Sequence, residues 1–107
     1  MLHMNLEGNR FTGQIPGSFG KLTNITLINL SKNRLSVLLP MELGNLLWLQ
    51  ALNLSHNALE CPLPPELASC SMLLTSNASH NFFNGSIPTA LQTMSRLSTL
   101  DLSQNQF

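Results

Sequence analysis

The feature that most constrains this chain is a repeat of 24 residues that runs through the whole sequence. Asparagine recurs at this interval five times, and proline recurs at the same interval four times. The asparagines are Asn9, Asn33, Asn57, Asn81 and Asn105, and the prolines are Pro16, Pro40, Pro64 and Pro88. A period of this length is typical of a solenoid, in which each unit packs only on its neighbours.

One unit is complete between residues 22 and 45, as LTNITLINLSKNRLSVLLPMELGN, and this pattern divides the chain. The predicted units are a partial unit at 1–21, complete units at 22–45, 46–69 and 70–93, and a partial unit at 94–107. Unit 70–93 departs most from the pattern, because Cys70, Ser76 and Ala78 stand at apolar positions. We expect it to be the least stable unit, since each missing leucine forfeits roughly 2–3 kcal/mol. Neither end carries a polar capping repeat, and we expect the sequence to be a fragment of a longer protein.

Each unit predicts one coil of backbone. The alternation of Ile28 and Leu30 with polar residues predicts a short strand, and neighbouring coils align their strands in a parallel sheet. The recurring asparagine follows the strand, where its amide can bond backbone groups that the turn leaves unpaired. We therefore predict an internal ladder of the five asparagines. The Gly-x-Ile-Pro segment then crosses to the back, and a short helical turn closed by Gly20 or Gly44 follows.

Composition argues against several classes of function. Five basic and five acidic residues give a formal net charge of zero, so no basic surface is available for nucleic acid. No apolar run approaches the roughly 20 residues of a membrane span. No charged stretch followed by an apolar block stands at the start, so the sequence predicts no signal peptide there. The sequence shows no nucleophile paired with a base, no phosphate loop and no kinase signature. We expect no enzymatic activity, cofactor or metal, and no contact of this segment with nucleic acid or membrane.

The repeat resembles the plant-type leucine-rich repeat, whose pattern is LxxLxxLxLxxNxLxGxIPxxLGxL. Stretches such as NRFTGQIPGSFGKLTNIT, LNLSHNALECPLPPEL and NFFNGSIPTAL are similar to the ectodomains of plant leucine-rich-repeat receptor-like kinases. The nearest likeness is to the receptors for plant elicitor peptides. The resemblance implies an α/β repeat solenoid with a parallel sheet on the concave face and short helical or 3-10 turns on the convex side. Val37 and Cys61 depart from the pattern, because they replace the glycine before Leu-Pro.

The resemblance also implies a function. It implies a recognition module at the extracellular face of the plasma membrane, which binds a peptide or protein ligand, or a leucine-rich-repeat co-receptor, in defence or developmental signalling. The Ser/Thr kinase domain of such a receptor would lie outside this chain. Two alternatives stay open: a secreted enzyme inhibitor of the apoplast that resembles the polygalacturonase-inhibiting proteins, and a truncated product with no function of its own.

The candidate ligand-binding residues are the strand residues expected to point outward on the concave face, which is the usual recognition surface of repeat proteins. They are Asn5, Glu7, Asn29, Ser31, Asn53, Ser55, Asn77, Ser79, Asp101 and Ser103. One interpretation is a polar track that bonds the backbone of an extended peptide. The other is that Asn-Leu-Ser is the default strand of this repeat, since the track lacks the aromatic and arginine side chains that dominate binding energy.

Five Asn-x-Ser/Thr acceptors for N-glycosylation are present, at a density that suits a secreted surface. They are Asn24, Asn29, Asn53, Asn77 and Asn84. Those at 29, 53 and 77 are stacked in neighbouring coils, too close for three glycans, so we predict partial occupancy that is strongest at Asn24 or Asn84. The alternative is that some acceptors arise only because the repeat supplies Asn-Leu-Ser.

Two further pairs of residues have open interpretations. His56 and His80 are one period apart and should be neighbours, either as a sensor of acidic pH or as ordinary surface residues. Cys61 and Cys70 can form a disulfide in a secreted protein. They can equally remain free, because the repeat places them on different legs of the coil and Cys70 takes a core leucine position.

Overall fold

The computed structural model describes residues 2–107, which form two parallel sheets and four 3-10 helices. The larger sheet contains, in spatial order, β1 (Leu2–Asn5), β3 (Ile25–Asn29), β5 (Ala51–Asn53), β7 (Thr75–Asn77) and β8 (Thr99–Asp101). The smaller sheet contains β2 (Thr12–Gly13), β4 (Arg34–Val37) and β6 (Ala58–Leu59). The 3-10 helices span Gly17–Lys21, Met41–Asn45, Pro65–Ser69 and Thr89–Thr93. The predicted solenoid, with a parallel sheet and short 3-10 turns, is confirmed.

The larger sheet keeps the sequence period as its register. Leu27 pairs with Ala51, Ala51 with Thr75, and Thr75 with Thr99, so each residue faces its counterpart one repeat away. In the smaller sheet, paired residues are separated by slightly less than one repeat. Thr12 of β2, for example, pairs with Arg34 of β4. The strands of this sheet lie between the recurring asparagine and the recurring proline of their coils. Side chains that share a position in the repeat therefore lie in columns along the larger sheet.

The core lies between the larger sheet and the 3-10 helices. Its fully buried side chains include Ile28, Leu52, Leu54, Leu59 and Phe83. The polar or smaller residues of unit 70–93 also lie inside, as Cys70, Ser76 and Ala78 are all buried. The same unit carries the larger Phe83 at the position of Leu35 and Leu59, which restores some apolar volume to that coil. The lower stability of this unit stays a prediction.

Gly20 and Gly44 have a different role from the helix-ending one that the sequence suggested. Both lie inside 3-10 helices, which are capped by Leu22 and Leu46. A Cβ on Gly20 would lie 2.6 Å from the backbone oxygen of Glu42, and one on Gly44 would lie 2.5 Å from that of Glu66. These glycines therefore allow successive 3-10 helices to approach more closely than a side chain permits.

Val37 adopts a backbone conformation that a β-branched residue rarely takes. Its φ angle is 71°, close to the 80° of Gly13 and the 73° of Gly85, which hold the same position in other coils. In the left-handed region the Cβ atom crowds the following carbonyl oxygen, and a β-branched side chain makes this worse. Cys61 also replaces this glycine, but its φ is not positive. Val37 is therefore a point of backbone strain.

Replacing Val37 with glycine is expected to stabilise the chain by about 1 kcal/mol. Relief of the left-handed strain, at about 1–3 kcal/mol, exceeds the roughly 0.5–1 kcal/mol of extra chain entropy that glycine loses on folding. The side chain itself contributes little, because it is 51% exposed. Urea unfolding of the two proteins measures the difference, with Cys61→Gly as the control at an unstrained copy of the position. A Val37→Gly protein that is less stable than the parent would show that the strain is absent.

Candidate functional site

The outward face of the larger sheet forms a shallow concavity of about 320 Å³. Strands β3, β5, β7 and β8 line it, and its outward residues form two columns. One column comprises Leu27, Ala51, Thr75 and Thr99, and the other comprises Asn29, Asn53, Asn77 and Asp101. On β1 the columns continue to His3 and Asn5. The central part of this face is uncharged and offers short apolar and polar side chains.

Each central asparagine of the second column uses its side-chain oxygen internally. Oδ1 of Asn53 accepts a hydrogen bond from the backbone N–H of Ser55 at 3.0 Å and another from its hydroxyl at 2.7 Å. Asn29 holds Ser31 in the same way, and Asn77 holds Ser79. Short side chains of this kind bond local backbone where a strand gives way to a turn. The Asn-x-Ser sequence therefore fixes the end of each strand.

This geometry corrects the expectation that all ten candidate residues point outward. Ser31, Ser55 and Ser79 are only 1%, 4% and 3% exposed, because their hydroxyls fold back onto the preceding asparagines. They support the site and do not line it. Ser103 and Glu7, at the two ends of the same series, are exposed. The accessible candidates in the middle of the face are thus the asparagines, and the column of Leu27, Ala51 and Thr75 lines the face beside them.

The amide nitrogens of these asparagines remain available for a ligand. Within residues 2–107, Nδ2 of Asn29, Asn53 and Asn77 makes no hydrogen bond, although each of these residues is only partly exposed. The three amides are one strand apart, so they form a row of donors along the sheet. Such a row suits a ligand that presents several carbonyl or hydroxyl oxygens.

Charges lie at the two ends of this row. At one end Glu7 is 3.8 Å from the ammonium of Lys32. At the other end Asp101 takes the asparagine position and accepts bonds from the Ser103 hydroxyl at 2.6 Å and the Ser103 backbone N–H at 3.0 Å. These two hydrogen bonds lower the pKa of the Asp101 carboxyl, with a smaller contribution from His80. Asp101 therefore presents a negative charge to any ligand at neutral pH.

Because the pKa of Asp101 is lowered in the folded chain, its ionised carboxylate stabilises the fold, and this contribution depends on pH. Because the folded pKa lies below the unfolded one, the contribution is present above the unfolded value of about 3.9 and is lost as pH falls through the folded value. We expect the advantage of the parent over Asp101→Asn to be complete at about pH 6 and to shrink as the pH falls below about 3.9. Asparagine is the matched control, since it fills this position in the four preceding coils. Melting temperatures measured across this range test the prediction, and a gap that stays constant would contradict it.

The asparagines of the predicted internal ladder join successive coils through the backbone. Nδ2 of Asn57 donates to the carbonyl oxygens of Leu30 at 3.0 Å and Leu54 at 3.1 Å, while its Oδ1 accepts from the backbone N–H of Leu35 at 3.0 Å. Asn33, Asn81 and Asn105 make the same set of contacts, and Asn9 in the first coil bonds only its own turn. This ladder holds the concave columns in register.

The glycosylation acceptors differ in accessibility. Asn24 is fully on the surface, and the Thr26 hydroxyl of its motif donates to the carbonyl oxygen of Leu2 at 3.2 Å. Asn84 is half-buried. The three acceptors on the concave face would be glycosylated on the same Nδ2 atoms that form the donor row. At each of those positions a glycan and a ligand contact are therefore mutually exclusive.

The histidine pair lies beside the concave face. The rings of His56 and His80 are stacked, with centroids 4.2 Å apart and planes 11° apart. Both residues have positive φ angles, as do Lys32 and Gln104 at the same position in the flanking coils. His56 and His80 are one repeat apart in sequence, and they are neighbours in the structure as predicted. Within residues 2–107, no group of three His, Cys, Asp or Glu side chains is arranged to hold a metal ion.

The two cysteines are free thiols in different surroundings. Cys70 is fully buried, its Sγ donates to the carbonyl oxygen of Leu43 at 3.1 Å, and burial raises its pKa to about 11. Cys61 is half-buried and accepts a hydrogen bond from the backbone N–H of Leu39 at 3.4 Å. Burial raises the pKa of Cys61 as well, partly opposed by that hydrogen bond. Cys70 thus acts as a core residue.

Comparison with known proteins shows a family and several structures to which the chain is similar. The leucine rich repeat family model matches residues 3–59. A comparison with curated proteins gave no match. None of the helices in residues 2–107 has the length and apolar character needed to cross a bilayer.

Three solved structures of plant receptors are similar to the chain. The complex of PEPR1 with AtPEP1 is 42% identical with a TM-score of 0.94, and the match covers 95% of this chain and 14% of that one. The ectodomain of the receptor kinase GASSHO1/SCHENGEN3 from Arabidopsis thaliana, in complex with CASPARIAN STRIP INTEGRITY FACTOR 2, is 37% identical with a TM-score of 0.94, covering 96% and 12%. The plant peptide hormone receptor RGFR1 in complex with RGF2 is 31% identical with a TM-score of 0.94, covering 96% and 17%. The chain therefore spans less than a fifth of the length of each receptor.

Proposed function

Because the chain belongs to the leucine-rich repeat family, we propose that its concave sheet binds an extended peptide as part of the ectodomain of a plant receptor-like kinase. The observation that carries this proposal is the row of amide donors on Asn29, Asn53 and Asn77. A peptide backbone presents carbonyl oxygens at regular spacing, and each can accept a hydrogen bond from one amide. The similar receptor structures that contain peptide ligands support the same ligand class.

The distribution of charge favours a particular kind of peptide. The centre of the face is uncharged, while Asp101 closes one end with a carboxylate whose second oxygen has no hydrogen-bond partner within residues 2–107. A basic side chain or an amino terminus at that end of the peptide would pair with it. A peptide with a neutral middle and a positive end therefore fits the face best.

The charges of the concave face also bear on the alternative function as an enzyme inhibitor. The concave face carries acidic groups at Glu7 and Asp101, whereas an inhibitor similar to the polygalacturonase-inhibiting proteins is expected to carry basic ones there. We place the segment on the extracellular face of the plasma membrane within a longer receptor, with the catalytic kinase domain elsewhere. A leucine-rich-repeat co-receptor is a second partner of this kind of module.

Selection of a phage library of random linear peptides against the chain tests the proposal. We expect recovered peptides to lose about tenfold or more in affinity for Thr75→Arg, because Thr75 is exposed at the centre of the face and arginine would fill it. Ser71→Arg is the matched control, since Ser71 is exposed in the same coil but outside the concavity. Peptides that bind Thr75→Arg as tightly as the parent, or a library that yields no binder, would overturn the proposal.

A further inference from the structure

Trp48 is the only tryptophan of the chain, and its side chain is 57% exposed. It lies in the turn that precedes β5, next to Leu47, which is also exposed. An indole left in water forgoes the burial that usually makes tryptophan stabilising. A group that packed on this turn would recover that burial.

The residue at the same position in the preceding coil is Asn24, a glycosylation acceptor. The two turns are held in register, because Leu27 pairs with Ala51 and the backbone N–H of Gln50 donates to the carbonyl oxygen of Thr26 at 2.8 Å. Adjacent backbone segments of a parallel sheet are about 4.8 Å apart. The exposed amide of Asn24 thus lies one coil away from the exposed indole.

We propose that an N-linked glycan on Asn24 packs its first sugar rings against the indole of Trp48. The inference rests on the extracellular location in the proposed function, since the glycan is added in the secretory pathway. Glycosylation forms a bond between Nδ2 of Asn24 and the anomeric carbon of the oligosaccharide. It breaks the bond from that carbon to its lipid diphosphate carrier, which leaves as the lipid diphosphate, and Nδ2 gives up one proton.

The chemistry of both partners suits this contact. One face of an N-acetylglucosamine ring presents C–H groups, and the face of an indole carries partial negative charge that attracts their partial positive charge. Packing the two also removes apolar surface of both from water. Met72, half-buried, holds the same position in the following coil, so the column continues as an apolar surface on the other side of Trp48.

The other acceptors have no tryptophan at the same position in the preceding coil. The counterpart of Asn84 in the preceding coil is Glu60, which offers no aromatic ring. Asn29, Asn53 and Asn77 have asparagine or aspartate as neighbours within the concave column. A glycan on Asn24 would also leave the concavity open, because neither Asn24 nor Trp48 lines it.

Acrylamide quenching of tryptophan fluorescence tests the inference directly, because the signal comes from Trp48 alone. The chain is secreted from a eukaryotic cell line, and glycopeptide mass spectrometry determines the occupancy of each acceptor. We expect the quenching constant to rise about twofold in Asn24→Gln, as a glycan on one ring face shields about half of the indole. Thr26→Ala, which removes the acceptor motif and keeps Asn24, should give the same increase, while Thr26→Ser should not.

Asn84→Gln is the control for loss of a glycan elsewhere, and it should leave the quenching constant unchanged. An unmodified Asn24, or equal quenching in the parent and Asn24→Gln, would overturn the inference. These results are distinguishable from failure of the proposed function. If Asn24 is bare while Asn84 carries glycan, the extracellular location stands and only the Trp48 contact fails. If no acceptor is modified, the extracellular location fails as well.

Discussion

Replacing Asn57 with alanine is expected to lower the free energy of unfolding by about 3 kcal/mol, since it removes four hydrogen bonds and leaves one interior backbone N–H without an acceptor. The substitution removes bonds to the carbonyl oxygens of Leu30, Leu54 and Ser55. It also leaves the backbone N–H of Leu35, a buried residue, without an acceptor. Denaturant unfolding followed by circular dichroism measures the loss.

Asn53→Ala is the matched comparison, because it changes the same residue type in the same coil. We expect a loss of about 1–2 kcal/mol, since only the backbone N–H and hydroxyl of Ser55 lose their acceptor. The sequence predicted that Asn53 faces solvent and costs less to replace than Asn57, but Asn53 is half-buried and its oxygen is engaged. Equal losses for Asn53 and Asn57 would mean that the ladder does not hold the coils together.

The second large effect is expected at Gly44. Alanine there would place its Cβ 2.5 Å from the backbone oxygen of Glu66, which cannot move without shifting the neighbouring 3-10 helix. We expect Gly44→Ala to reduce stability by about 3 kcal/mol, at the upper end of the effects of overpacking. Thermal unfolding of the purified proteins tests this expectation.

Gly17→Ala provides the control in the first 3-10 helix. Its Cβ would approach only the carboxylate of Glu42, at 3.0 Å, and that flexible side chain can turn away. The change should therefore be close to neutral. If Gly44→Ala melts at the same temperature as Gly17→Ala, the close packing of successive 3-10 helices is not a source of stability.

The sequence predicted the arrangement of the coils because, in a solenoid, residues one period apart stack on one another. Once asparagine and proline recur at one interval, each residue must lie beside its counterpart, and Leu27, Ala51 and Thr75 do so. The stacking of His56 on His80 follows from the same spacing. The order of the larger sheet needed no further information, and its register follows the period except at Leu2, which pairs with Ile25.

Details that depend on distances between coils were beyond the sequence. The pattern shows that glycine recurs at positions 20 and 44, but the reason is the carbonyl oxygen of the next coil, which only the structure reveals. The positive φ of Val37 was likewise hidden, because Cys61 replaces the same glycine without adopting it. The short strands of the smaller sheet have too few residues to produce a hydrophobic period.

The candidate site was predicted in outline and corrected in detail. Strand alternation alone suggests that Asn53 and Ser55 both face outward. Alternation fails at the strand end, where the serine turns back to bond the asparagine. The spacing of asparagine and serine by two residues was the available signal, since this pattern favours local side-chain bonds. The exposure of Trp48 had no sequence signal beyond its place outside the core positions.

Glycopeptide mass spectrometry of the secreted chain tests whether the concave sheet is open to a ligand. If the amide donors of Asn29, Asn53 and Asn77 meet the ligand, they must be free of glycan. We expect glycan at Asn24 or Asn84 and mostly unmodified amides in the central column. Full modification of the three central asparagines would contradict it, because the glycans would fill the concavity and occupy the atoms assigned to the ligand.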